Sequence, residues 1–226
     1  MVGLKKLLFI FLCVFFLLST VLTSGVYAHG IKFMLGGNLS IYEIWPETYF
    51  DSDLGDDYSY EISRKRGFLL GAGIEFNLAR YAALEIDALY LQKGTEVQKL
   101  YSRLEIGIAP QKYTLHIINI PVLLKIKFLR GSSPYILGGH EWSFILSHGF
   151  RPFLNGRTGD FASITESTET LESGLVYGGG FEIKLKKTLL FIEARFLNGL
   201  NNIIKGQIDW KTVKTRTIVI LAGFKI

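Results

Sequence analysis

The sequence predicts an all-β chain that folds as a single eight-stranded, antiparallel, up-and-down transmembrane β-barrel. Three observations lead to this fold class: apolar and polar residues alternate in successive segments, lysines interrupt otherwise apolar strands, and short turns alternate with long connections. In a membrane barrel lipid covers the outside while polar side chains fill the inside, so the two residue types alternate along every strand.

The clearest strand is the segment 118–128. Its even positions are all apolar, whereas its odd positions include Lys125 and Lys127. This period of two predicts an apolar face toward lipid, formed by Ile120, Val122, Leu124 and Ile126, and a lumenal face that carries both lysines. Pro121 has no N–H to donate to a neighbouring strand, so we expect a local bulge there.

Seven other segments alternate in the same way, and their connections differ in length. The segments are 31–42, 68–78, 84–90, 134–146, 175–185, 190–196 and 215–226. Three short turns alternate with four long connections, at 47–63, 92–111, 147–172 and 197–211. This asymmetry is typical of outer-membrane barrels, which have short periplasmic turns and long outer loops. Pairing the first strand with the last would leave no sheet edge exposed to lipid.

Residues 1–28 are predicted to be a secretory signal peptide, and residues 29–226 to form the barrel as one domain. Lys5 and Lys6 precede an apolar run at 7–22, and Ala28 offers a small residue at the cleavage site. An N-terminal membrane anchor is the alternative, although the run is short for a spanning helix. An exported chain with barrel strands is expected in the outer membrane.

Charge and cysteine content narrow the classes of function. The formal charge of +5 includes two lysines of the leader, and the remaining excess is spread along the chain, which argues against a nucleic-acid partner. The single cysteine, Cys13, also lies in the leader. A mature chain without thiols excludes disulfides, cysteine-ligated zinc and cysteine catalysis.

Charged residues at lumenal positions are predicted to form a structural network of ion pairs. The set comprises Lys32, Glu75, Glu85, Asp87, Lys125, Lys127, Glu141, Glu182, Lys184, Glu193 and Arg195. An eight-stranded barrel is wide enough only for its own side chains or one small ligand, so we expect a closed lumen. A proton or ion path and a binding pocket are the alternatives.

Three segments resemble the small outer-membrane β-barrel family that includes PorT-type proteins. They are residues 67–97, residues 118–139 (INIPVLLKIKFLRGSSPYILGG) and residues 174–203 (GLVYGGGFEIKLKKTLLFIEARFLNGLNNI). The resemblance covers most of the mature chain and implies an eight-stranded outer-membrane barrel. It implies little about activity, because the family has no catalytic motif to carry over, and a PorT-type role in secretion does not follow from these motifs.

Other polar groups suggest chemistry only weakly, and we predict no catalytic residue, cofactor or metal. The aspartates of segment 51–57 have the oxygen density of a calcium loop without its spacing, so a solvated acidic loop is expected. His140 and Glu141 lack the second histidine of a zinc helix. His148 with Ser147, or His116, would be the rim residues of a lipid-modifying barrel enzyme.

The expected function is therefore a structural or binding role in the outer membrane, with lipid and other envelope proteins as partners. The protein would act alone or as a subunit of an envelope or secretion assembly. A lipid-modifying enzyme and a small pore are the alternatives. The absence of a compact histidine, serine and acid motif argues against the first, and the pairing of lumenal charges argues against the second.

Overall fold

A computed structural model of the chain describes residues 30–45, 48–51, 56–101, 110–154, 157–205 and 212–226. The predicted signal peptide lies outside these residues. The strands are β1 (Gly30–Trp45), β2 (Thr48–Asp51), β3 (Asp56–Asn77), β4 (Ala82–Tyr101), β5 (Gln111–Lys127), β6 (Ser133–Leu154), β7 (Arg157–Thr158), β8 (Ala162–Ser163), β9 (Leu171–Lys184), β10 (Leu189–Gly199) and β11 (Thr212–Lys225). A short 3₁₀ helix spans Thr165–Ser167. Within the described ranges, no helix is long and apolar enough to cross a membrane.

Eight of these strands close into a barrel. The order around the ring is β1, β11, β10, β9, β6, β5, β4 and β3, and β3 pairs again with β1. All neighbouring pairs are antiparallel. The predicted fold class is thus confirmed. The strands β2, β7 and β8 lie outside the ring, where β2 pairs with β3 and the other two pair with β6.

The strands present apolar side chains outward and bury the alternate positions. On β5, Leu124 and Ile126 are 47% and 41% exposed, whereas Lys125 is fully buried. The predicted facing of this strand is therefore confirmed. The same parity exposes large apolar residues all around the barrel, among them Leu35, Leu70, Ile136, Tyr177, Ile192 and Ile220. An outer surface of this kind is stable in lipid, where apolar groups need no water.

The predicted bulge at Pro121 is wrong, and a bulge occurs instead in β6. The β4–β5 register runs from Ile86–Val122 to Leu89–Asn119 with an unchanged offset, since a proline removes a donor without adding a residue. In the β5–β6 pair, Ile117 lies opposite Ile145 but His116 lies opposite Ser147. The additional residue, Leu146, reverses the parity of β6 beyond it.

Four strands extend well beyond the length needed to cross a membrane. The strands β3, β4, β5 and β6 have 22, 20, 17 and 22 residues, whereas β1, β9, β10 and β11 have 16, 14, 11 and 14. A membrane-spanning strand needs about 9–11. We call the extension the projecting sheet; it comprises β2 with residues 56–64, 95–101, 111–116 and 147–154, flanked by β7 and β8. Much of three predicted long connections, at 47–63, 92–111 and 147–172, is therefore strand.

The opposite end of the barrel has only tight turns, at 78–81, 128–132 and 185–188. The backbone of Gly131 has a φ of 82°, in the left-handed region that glycine enters without steric cost. The first and last barrel strands also meet at this end, where Ile31 and Ile226 exchange two backbone hydrogen bonds of 2.9 and 3.1 Å. This end corresponds to the periplasmic side of outer-membrane barrels.

Candidate functional site: the charged lumen

Besides Lys32, ten charged residues were predicted to face the lumen, and nine of these ten lie inside the barrel. The eight fully buried ones are Glu75, Glu85, Asp87, Lys125, Glu141, Glu182, Glu193 and Arg195, and the side chain of Lys127 is 17% exposed. Lys184 is the exception. It lies at the last position of β9, where the strand has left the barrel interior, and its side chain is exposed. Including Lys184 in the network is therefore wrong.

The half of the lumen toward the short turns contains one continuous set of ion pairs, which we call the lower charge network. It consists of Lys32, Glu75, Glu85, Asp87, Lys125, Lys127, Glu182, Glu193, Arg195 and Lys225. Five acids and five bases balance in charge. They come from seven barrel strands, and β6 adds Tyr135, whose hydroxyl donates to Glu193 Oε2 at 2.6 Å.

Arg195 joins three carboxylates within the lower charge network. Its Nη2 lies 2.7 Å from Glu85 Oε1, its Nη1 lies 2.7 Å from Asp87 Oδ2, and its Nε contacts Glu193. A planar guanidinium suits this position because it presents several donors in fixed directions and stays charged when buried. Arg195 on β10 thereby ties its own strand to β4 across the barrel.

Lysines link the remaining acids of the lower charge network. Lys125 Nζ lies 3.1 Å from Glu75 Oε2, contacts Glu182 and sits 3.9 Å from the centre of the Tyr135 ring. Lys127 and Lys225 approach Glu75 Oε1 at 2.8 and 2.7 Å. Glu75 is thus shared by three lysines, and the loss of one lysine would leave this carboxylate paired.

A second group, the upper cluster, lies toward the projecting sheet and centres on Lys93. Its Nζ lies 3.1 Å from Glu172 Oε2 and 3.9 Å from Glu141 Oε1, and it donates to Thr215 Oγ1 at 3.2 Å. Asn119 Nδ2 donates to Glu141 Oε2 at 2.8 Å. Lys93 and Glu172 were not predicted to face the lumen, because both fall in segments that were predicted to be long connections. Continued odd-position parity along β4 was the available signal for Lys93.

Glycines make room for the lumenal polar groups. A Cβ on Gly73 would lie 1.9 Å from Asp87 Oδ1, and one on Gly180 would lie 2.6 Å from the Tyr135 hydroxyl oxygen. Both contacts are closer than real Cβ atoms allow, so larger residues there would displace the carboxylate and the phenol. Several glycines on inward positions are therefore part of how the barrel accommodates buried charges.

The histidines do not form the rim site expected of a lipid-modifying enzyme. The β6 bulge turns His148 into the lumen, where its Nε2 and Nδ1 are hydrogen-bonded to the Tyr42 hydroxyl at 3.0 Å and to Thr168 Oγ1 at 2.9 Å. His116 instead pairs with the Tyr90 hydroxyl at 2.6 Å. In the described part of the chain, neither ring is hydrogen-bonded to a carboxylate.

The acidic and histidine side chains of the described residues do not converge on a metal site. Across residues 30–45, 48–51, 56–101, 110–154, 157–205 and 212–226, no group of three or more His, Cys, Asp or Glu could hold a metal ion. His140 and Glu141 point to opposite sides of β6, since Glu141 is buried in the lumen while His140 packs on Trp142 with ring centres 4.6 Å apart. The side chains of the acidic segment 51–57 lie outside the described residues, so the prediction of a solvated loop stays a prediction.

Apolar side chains occupy the parts of the lumen that contain no charged side chain. The buried set includes Leu69, Leu89, Leu91, Leu115, Ile117, Leu123, Val176, Leu197, Val219 and Leu221. Together with the lower charge network and the upper cluster they occupy the described barrel interior. Burying ions costs desolvation energy, which the pairing must offset.

A closed antiparallel barrel of eight strands, apolar outside and polar inside, defines a transmembrane β-barrel of the outer-membrane class. The chain belongs to the outer membrane protein beta-barrel domain family, which matches residues 22–205. The outer membrane is therefore its location.

Several solved structures are similar to this chain. OprG of Pseudomonas aeruginosa is 15% identical with a TM-score of 0.45, and the match covers 88% of this chain and 96% of that one. Ail of Yersinia pestis is 17% identical with a TM-score of 0.42, covering 87% and 99%. Neisserial surface protein A is 16% identical with a TM-score of 0.43, covering 86% and 96%. Among curated proteins, no sequence relative was found.

Proposed function

We propose that the protein is a closed, non-conducting barrel with a structural or binding role in the outer membrane, and that it is not an enzyme. The observation that carries this proposal is the balanced lower charge network, whose ten side chains interlock across the lumen. A water-filled pore would leave such charges separately hydrated instead of paired.

The projecting sheet supports a binding role toward other envelope proteins. It extends the barrel wall, since its strands continue the hydrogen-bonded ladder of that wall. It presents exposed residues, among them Phe153 at 48%, and Arg151 with its guanidinium carbon 5.8 Å from the centre of the Phe161 ring. Arginine and aromatic residues are enriched at protein interfaces. A subunit of an envelope or secretion assembly would use this surface.

Conductance in planar lipid bilayers tests the closed lumen. The purified protein is expected to give no stable current at neutral pH, because paired charges and apolar side chains occupy the lumen. Steady open-channel currents would contradict the proposal and favour the small pore.

Co-purification tests the binding role. Wild-type protein and the variant Arg151→Ser/Phe153→Ser would be cross-linked in outer membranes, solubilised in detergent and recovered. A matched control, Lys205→Ser/Leu200→Ser, changes one exposed cation and one exposed apolar residue outside the projecting sheet. We expect one envelope protein to be recovered with wild type and the control but lost from the variant. Equal recovery with all three would remove the projecting sheet from the proposal.

A further inference from the structure

The short-turn end of the barrel contains a cavity of about 610 Å³. All three short turns line it, together with the ends of β5, β9 and β11. The cavity lies where the ring of strands ends, so it forms a vestibule on the barrel axis. We call it the basic vestibule.

Cations dominate the wall of the basic vestibule. Seven cationic side chains and one acidic side chain, that of Glu182, are among its described lining residues. The cations are Arg80, Lys127, Arg130, Lys184, Lys186, Lys187 and Lys225. Each short turn contributes at least one of them, although the turns are far apart in sequence.

Most of this charge is not paired with an acidic side chain in the part of the chain that the structure describes. Lys127 and Lys225 belong to the lower charge network through Glu75. The ion pairs in the described part of the chain include none of the other five cations. Like charges converging on a concave surface repel one another, and they concentrate anions there. The lower charge network, which is balanced, cannot supply the missing counter-charge.

The rim of the basic vestibule is held in place by contacts between its parts. The Lys184 N–H donates to Ser132 Oγ at 3.0 Å, which joins the end of β9 to the turn at 128–132. Arg80 lies with its guanidinium carbon 5.1 Å from the centre of the Tyr81 ring. The hydrogen bond from Lys184 joins two cation-bearing segments before any ligand arrives, which reduces the entropy cost of binding.

We propose that the basic vestibule binds the phosphate groups of a multivalent anion on the periplasmic side. Arginine matches phosphate with two parallel hydrogen bonds, and lysine adds point charge. The cavity has a volume typical of small-molecule sites, about 300–1,000 Å³. Two sources carry this chemistry: a free phosphorylated molecule and the headgroup of an anionic phospholipid. The proposal does not depend on the binding role assigned to the projecting sheet.

Calorimetric titration with inorganic pyrophosphate tests the site, with the protein in a neutral detergent. The variant Lys184→Gln/Lys186→Gln/Lys187→Gln removes three exposed cations of the basic vestibule. The matched control, Lys112→Gln/Lys205→Gln/Arg216→Gln, removes three exposed cations elsewhere. We expect the vestibule variant to bind at least about tenfold more weakly, the equivalent of one charged hydrogen bond, and the control to stay within about twofold of wild type.

A second arm identifies the source of the phosphate. The titration is repeated in phosphatidylcholine vesicles with and without phosphatidylglycerol. Weaker pyrophosphate binding in the presence of phosphatidylglycerol, abolished in the vestibule variant, assigns the site to lipid headgroups; unchanged binding assigns it to a free ligand. Either result supports the proposal. Absence of pyrophosphate binding in both systems, or equal losses in the vestibule variant and its control, would overturn it, provided that circular dichroism shows folded barrels.

Discussion

At the scale of single residues, the environment of each buried charge decides how much it matters. Lys125 and Arg195 are both buried in the lower charge network, but their surroundings differ. Of the acids beside Lys125, Glu75 and Glu182 are also paired with Lys127 and Lys225. The third, Glu85, is also paired with Lys32 and Arg195. Asp87 depends on Arg195, since Lys32 Nζ is its next cation, at 4.0 Å. Removing Arg195 therefore leaves a buried acid without its closest cation, whereas removing Lys125 does not.

The direction in which the side chains of β5 point, toward lipid or toward the lumen, gives the first prediction. Val122→Arg places a charge in lipid, at a cost of about 2–4 kcal/mol near the midplane. Lys125→Met removes a lumenal charge whose partners keep other lysines, so we expect a smaller loss. Reversible unfolding in lipid vesicles measures both. Equal tolerance of the two changes would indicate a soluble sheet with a different core.

Arg195 gives the second prediction. Arg195→Leu is expected to lower the free energy of unfolding by about 3–5 kcal/mol, because it leaves Asp87 buried without its main partner. Arg216→Leu is the control, since the Arg216–Glu43 pair is about half exposed and such pairs contribute about 0–1 kcal/mol. Similar losses for both variants would show that the lower charge network is not tightly paired.

At the scale of the elements, strand parity could be predicted where one face meets lipid. The facing of β5 followed from its residues, because six alternate apolar positions leave one arrangement of low energy. Where the strands leave the membrane, the alternation of apolar and polar residues no longer identifies the inward face. Lys93 lies on β4 among Gln92, Gly94 and Thr95, where both faces are polar, so that segment resembled a loop. Lys184 was wrongly predicted to face the lumen, because the alternation of apolar and polar residues on β9 continues past the end of the barrel interior.

The β6 bulge gives the third prediction. Deleting Leu146 would remove the additional residue and leave His148 opposite Leu115, so His148 would still face the lumen and keep its hydrogen bonds with Tyr42 and Thr168. Amide hydrogen exchange of residues 147–154 should then stay as slow as in the wild type. His148→Ala is the comparison, because it removes these hydrogen bonds without changing the register, and its exchange should be faster. Exchange in the deletion variant as fast as in His148→Ala would show that the pairing beyond the bulge depends on the additional residue.

At the scale of the whole molecule, barrel closure and asymmetry followed from the sequence, whereas the projecting sheet and the basic vestibule did not. Closure was predictable because eight alternating segments without an exposed edge have one architecture in lipid. The basic vestibule depends on Arg80, Arg130 and Lys186, which lie in three separate turns. Only the circular order of the strands places these turns around one opening.

Export gives the fourth prediction. The mature protein should begin at His29 and fractionate with the outer membrane, since the leader precedes barrel strands. N-terminal sequencing of membrane fractions measures this. A mature chain that retains Met1, or one found in the soluble periplasm, would disprove cleavage or membrane insertion respectively.

The central claim is that alternate residues of one strand lie in lipid and in a sealed lumen. The lone cysteine is Cys13, so single cysteines can be spin-labelled in a chain that begins after residue 28. Paramagnetic resonance in vesicles would compare Ile120, Val122, Leu124 and Ile126 with Ile117 and Leu123. We predict that the four outer positions are accessible to oxygen and not to a water-soluble nickel reagent, while the two inner positions are accessible to neither. Nickel access at the inner positions, or accessibility without a period of two, would contradict the account.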